Sequence, residues 1–151
     1  MQDFKIRVKS IDADDIDTYS IWGEIYVEIN GKSLPDNAWY DSASSIIHMW
    51  LSETIEQLSG KQDCWELPFM DGPYKICLNK DTDTNTLVRF LVNDKEILGH
   101  TVVDTENIIQ EILDCAETFM NLCYRDAPSS TSMRTFIEIQ KMYNILKERS
   151  T

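Results

Sequence analysis

Hydrophobic residues return at every second position near the start of the chain, where Phe4, Ile6 and Val8 alternate with Lys5, Arg7 and Lys9, the pattern of a strand with one face in a core. The alternation resumes with Ile21, Gly23, Ile25, Val27 and Ile29 on one side and Trp22, Glu24, Tyr26 and Glu28 on the other, and Asn30-Gly31 closes the run with turn chemistry. Two such strands predict an antiparallel pair, joined by a polar hairpin loop over Ile11 to Thr18. From Asp41 the period lengthens. Ala43, Ile46, Ile47, Trp50, Leu51, Ile55 and Leu58 recur at steps of three and four, with Asp41 or Ser42 placed to cap the start and Gly60 just past the end, which predicts a helix of about four turns.

The middle of the chain returns to strands. After the turn Asp71-Gly72-Pro73 come Tyr74 to Asn79, Thr86 to Asn93 and Glu96 to Val103, short β-rich stretches that predict an antiparallel meander. The last third reads as two helices. Asp104 or Thr105 can cap the first, whose stripe runs through Ile108, Ile112, Ala116, Phe119 and Cys123; Ala127-Pro128-Ser129-Ser130 interrupts; and a second carries Phe136, Ile139, Tyr143 and Leu146, with Lys147 and Arg149 at the negative end of its dipole. The order ββ-α-βββ-αα predicts an α+β fold over residues 1–151 as a single domain, with about five strands in one antiparallel sheet and three helices mainly on one face.

Composition narrows the function classes. Twenty-six Asp and Glu stand against fourteen Lys and Arg, a formal net charge of −12, which disfavours nucleic acid and anionic membrane and favours a basic protein as partner. With 42% hydrophobic and 10% aromatic residues the chain is built to pack and does not resemble a disordered acidic tail. Charges interrupt the N-terminus where a signal peptide needs an apolar run, no stretch approaches a membrane span, and the four cysteines Cys64, Cys77, Cys115 and Cys123 fall outside metal-ligand spacing. The expectation is a cytoplasmic protein with reduced thiols and no cofactor or metal.

The candidate chemistry is that of a binding surface. Asp12, Asp14, Asp15 and Asp17 crowd the first loop, either to grip a basic partner or as ordinary turn formers. Trp22, Glu24, Tyr26 and Glu28 share one strand face, where aromatic anchors beside carboxylates make an interface hot spot; equally, Glu24 and Glu28 can pair with Lys5, Arg7 and Lys9 across the sheet. Asp81, Asp83 and Asn85 open like a calcium loop, but Thr86 and Val92 stand where its glycine and bidentate glutamate are needed, so a hairpin turn is expected. His48 and His100 have no nucleophile in a familiar signature nearby, and phosphate-loop and hydrolase motifs are absent from the sequence.

The string from Ile21 to Gly31, followed by Leu34-Pro35, Trp39, Asp41 and the later run Phe69-Met70-Asp71-Gly72-Pro73-Tyr74, resembles a family of small acidic bacterial proteins, the immunity proteins of polymorphic toxin and contact-dependent growth inhibition systems. The resemblance implies a non-enzymatic antidote that binds the C-terminal domain of a cognate toxin. Its matching positions read as scaffold, and because such proteins bind through variable surfaces it carries no site residue across. The partner surface is therefore assigned from charge and exposure to Asp12, Asp14, Asp15, Asp17, Trp22, Glu24, Tyr26 and Glu28, on a monomer or weak homodimer. The alternatives are a small enzyme using Asp36, Asp41 and Asp71, and a regulatory or structural subunit.

Overall fold

A computed structural model describes residues 3–16, 19–60 and 63–150. The fold is α+β, with eight strands, three α-helices and a short 3-10 helix among those residues. The strands are β1 (Phe4–Ile16), β2 (Ile21–Ile29), β3 (Lys32–Leu34), β4 (Tyr40–Asp41), β5 (Cys64–Pro68), β6 (Tyr74–Lys80), β7 (Asn85–Val92) and β8 (Lys95–Asp104). The helices are α1 (Ala43–Leu58), α2 (Thr105–Asp126) and α3 (Arg134–Arg149), and the 3-10 turn Pro128–Ser132 joins the last two.

The expected single sheet is instead two four-stranded antiparallel sheets. The first has the order β1-β2-β3, with β4 also paired to β2, and the second is the meander β5-β6-β7-β8. The reason lies at the edges of the first sheet. On the side of β2 away from β1, β3 occupies Val27 to Ile29 and β4 occupies Gly23 and Glu24. The outer edge of β1 is covered at Ile6, whose backbone N–H donates to Glu111 Oε1 of α2 at 2.8 Å. Helix α2 packs against β1 as well, and the second meander pairs only within itself.

The alternation read from the chain decides which faces are buried. Phe4, Ile6, Val8, Ile21, Ile25 and Val27 face inward against α1 and α2, while Trp65, Leu67, Ile76, Leu78, Val88 and Phe90 do the same from the second sheet, and one contiguous core joins them. Helix α1 lies between, touching β2, β5, α2 and α3. The start of α2 follows its predicted cap, since Asp104 accepts the backbone N–H of Glu106 at 2.9 Å. Gly60 follows the end of α1 at a φ of 75°, the left-handed conformation that suits glycine there.

A buried carboxylate ties the two sheets together. Asp41, 0% exposed, accepts the Trp39 indole N–H at 2.9 Å and the backbone N–H groups of Ser42, Met70 and Asp71 at 2.7, 3.2 and 3.1 Å. The Trp39 ring meets Tyr74 edge-on at 5.3 Å, and the Phe69 N–H donates to the Tyr74 carbonyl at 3.1 Å. Trp39, Asp41 and the Phe69 to Tyr74 run thus form a single pin between the entry of α1 and the β5–β6 turn.

Candidate functional site

The strongest departure from regular pairing lies where the acids are densest. Ile11 pairs with Gly23 and the next pair is Ile16 with Ile21, so Asp12, Ala13, Asp14 and Asp15 stand against Trp22 alone. The expected hairpin loop is therefore a bulged continuation of β1, because Ile16 and Ile21 re-form the ladder beyond it. The bulge pushes carboxylates outward. Asp14 and Asp15 are exposed and Asp12 is half-buried, its Oδ1 accepting the Asp14 N–H at 3.1 Å. Asp17 lies outside the described residues.

Two rings brace this segment. Trp22 of β2 stacks on Tyr40 of β4 with centroids 5.7 Å apart and planes 20° from parallel. The Tyr40 hydroxyl reaches Asp15 Oδ2 at 2.8 Å and Asp12 Oδ2 at 3.1 Å. Partial burial and then those two carboxylates raise the Tyr40 pKa, so the phenol keeps its proton and serves as a donor. Glu24, half-buried, is in register with Tyr40 on one side and Ser10 on the other. The result is a flat aromatic pair 42% open at Tyr40 and bordered by Asp12, Asp15 and Glu24.

Charge neutralisation divides the nominated residues. Arg7 meets Glu28 at 3.0 Å, the cross-strand ion pair anticipated for this face, and that hydrogen bond raises the Arg7 pKa. Glu24 has no such partner, because the irregularity between Val8 and Ser10 sets Ser10 opposite it in place of Lys9. Among the described residues no Lys, Arg or His pairs with Asp12, Asp14, Asp15 or Glu24. Tyr26 does not serve as an open anchor. It is 5% exposed, flanked by β1 through Arg7 and by the chain that runs from β3 to β4. The open ring stacked on Trp22 is instead Tyr40, absent from the sequence assignment; its pairing with Glu24 spans sixteen positions and leaves no periodic signal.

Two carboxylates of the enzyme alternative are taken up by the scaffold. Asp41 is consumed by the pin, Asp36 accepts its neighbour Asn37 N–H at 2.8 Å, and Asp71 contributes a backbone donor to Asp41. An open cleft of about 430 Å³ between α1, α3 and the turn after β5 gathers a different set. There Glu138 receives Arg134 Nε at 3.0 Å on one oxygen and His48 Nε2 at 3.2 Å on the other, and the guanidinium foremost holds the carboxyl below its ordinary value. Both oxygens are engaged. No group of three or more His, Cys, Asp and Glu among the described residues is arranged to hold a metal ion, and no described helix is long and apolar enough to cross a membrane.

No family model matches the chain, and no curated protein or solved structure matches it. The functional reading rests on the geometry.

Proposed function

We propose that this protein is a non-enzymatic antidote of the immunity-protein class, which binds a basic toxin domain and blocks its substrate surface. The observation that carries the reading is the acidic rim of Asp12, Asp14, Asp15 and Glu24, which pairs with no cation among the described residues, around the stacked Trp22–Tyr40 pair. Carboxylates without internal cations retain their field for a partner, which raises the rate of encounter, while a ring pair that loses water at the centre of a contact supplies affinity. A toxin that cleaves nucleic acid needs a basic surface to hold phosphate, and this rim presents negative charge to such a surface. Such an antidote acts in the cytoplasm.

The test uses the C-terminal domain of whatever protein is encoded directly upstream of this gene, titrated calorimetrically against the wild-type chain and two variants. Trp22→Ala is expected to weaken binding by roughly thirtyfold, the scale of an interface anchor worth about 2 kcal/mol. Asp12→Asn, Asp15→Asn and Glu24→Gln together should slow association about tenfold and flatten its dependence on salt. None of these three acids pairs with a cation among the described residues, and asparagine keeps an acceptor oxygen for the Tyr40 hydroxyl, so the triple variant should melt close to wild type. Unchanged affinity and unchanged salt dependence in the triple variant would remove this surface from the proposal, and absence of binding by the wild-type chain would remove the antidote reading itself.

A further inference from the structure

Trp22 and Tyr40 stand on the solvent face of the first sheet, since Ile21 and Ile25 point from β2 into the core and Tyr40 is in register with Glu24 on the other face. That face is short of hydrogen-bond donors. The Tyr40 hydroxyl has a single hydrogen, and two carboxylates reach for it, Asp15 at 2.8 Å and Asp12 at 3.1 Å. The shorter contact takes the hydrogen, which leaves Asp12 Oδ2 against the phenol oxygen. No cation among the described residues pairs with Asp12, Asp15 or Glu24. Two carboxylate oxygens are thus held within two hydrogen-bond lengths of each other, beside a stacked ring pair whose Tyr40 is 42% exposed.

We propose that this face docks an arginine side chain of the partner and selects it over lysine. The inference deepens the antidote reading and rests on it for the partner's being a protein. Charge complementarity commits the occupant to a cation. The geometry then separates the two cationic side chains. A guanidinium is a planar fork with five N–H donors, so it can serve Asp12 and Asp15 together while its plane lies on an aromatic ring. An ammonium is a compact, strongly hydrated point charge with no plane to stack. Glu24, half-buried on the strand beside Tyr40, adds a further acceptor. The Tyr40 hydroxyl is the positioning group, because it gathers two like charges that otherwise repel each other.

The test is a ¹H–¹⁵N titration of the labelled full chain with a blocked peptide of alternating glycine and arginine and with its lysine counterpart of equal length and charge. Trp22→Phe assigns the Trp22 indole resonance, and low salt keeps the surface attraction unscreened. The arginine peptide is expected to shift that resonance saturably and to bind at least about fivefold tighter than the lysine peptide. Tyr40→Phe keeps the ring and loses only the hydroxyl; it should bring the two peptides within about twofold of each other, with a melting curve showing that the variant is folded. Equal affinity for the two peptides in the wild-type chain would overturn arginine selection, and so would an undiminished preference in Tyr40→Phe or no saturable shift with either peptide. A Trp22 resonance that moves with protein concentration alone would assign the face to a second copy of the chain and overturn it too. None of these results requires the toxin, so the antidote reading stands or fails separately, on whether the wild-type chain binds the domain encoded upstream.

Discussion

Removing the Asp41 side chain should unfasten the two sheets from one another. Asp41→Ala deletes the acceptor for four N–H groups at once, at 2.7 to 3.2 Å, from a position with 0% exposure. A buried donor left unpaired costs about 1–3 kcal/mol. The donors of Met70 and Asp71 sit in a turn whose side chains are exposed, so water can reach them and their cost is at the low end; those of Trp39 and Ser42 are better shielded. The sum is about 5 kcal/mol, and relief from burying a carboxylate offsets part of it, leaving a net loss of about 3 kcal/mol. For a domain of this size each kcal/mol lowers the melting temperature by about 2–4 °C, so calorimetry should place Asp41→Ala about 10 °C below wild type. Asp41→Asn retains one acceptor oxygen and should fall between them. If the alanine variant melts within about 2 °C of wild type, with an unchanged urea slope, Asp41 is not the pin described here.

Gly23→Ala should cost about 2–3 kcal/mol in urea unfolding, because a Cβ there would run into the Ser10 carbonyl oxygen and lie 3.0 Å from Ile11 Cα, both backbone atoms; a loss under about 0.5 kcal/mol would contradict the close approach. All four cysteines are free, and a thiol reagent should label exposed Cys64 first and spare Cys115 and Cys123 until the chain unfolds. Burial raises both of those thiols, Cys123 to about 11, so rapid native-state labelling of either would show the core to be open there. Glu138 is held below its ordinary 4.5 by Arg134 and His48, so its contribution is present above that value and disappears as pH falls through the lowered one. Glu138→Gln should flatten the acid limb of the melting curve slightly; a variant that changes only the alkaline limb would oppose the assignment.

Legibility along the chain followed the range of the interaction that decides each feature. Phe4 to Val8 and Ile21 to Ile29 announced their strands, and Ala43 to Leu58 its helix, since period two and period 3.6 are properties of the local chain and survive any tertiary setting. The short strands Lys32–Leu34 and Tyr40–Asp41 were not legible, because two or three residues carry no period and exist only as cover for the edge of β2. Cys64–Pro68 was missed for a related reason: Trp65 and Leu67 alternate correctly, but only two inward positions are present.

The candidate surface shows the same division. Local chemistry made the cluster Asp12, Asp14 and Asp15 conspicuous and set Glu28 within reach of Arg7 on a neighbouring strand. Register decided the rest: the bulge that stands four residues against Trp22, the irregularity that sets Ser10 opposite Glu24, the burial of Tyr26 and the arrival of Tyr40 over Trp22. By itself the sequence determined the longer elements, most of their buried faces and the excess of negative charge. Only the tertiary structure decided that the strands divide into two sheets and which acids lack a cation, because both depend on edges and cross-strand partners that meet only when distant segments pack.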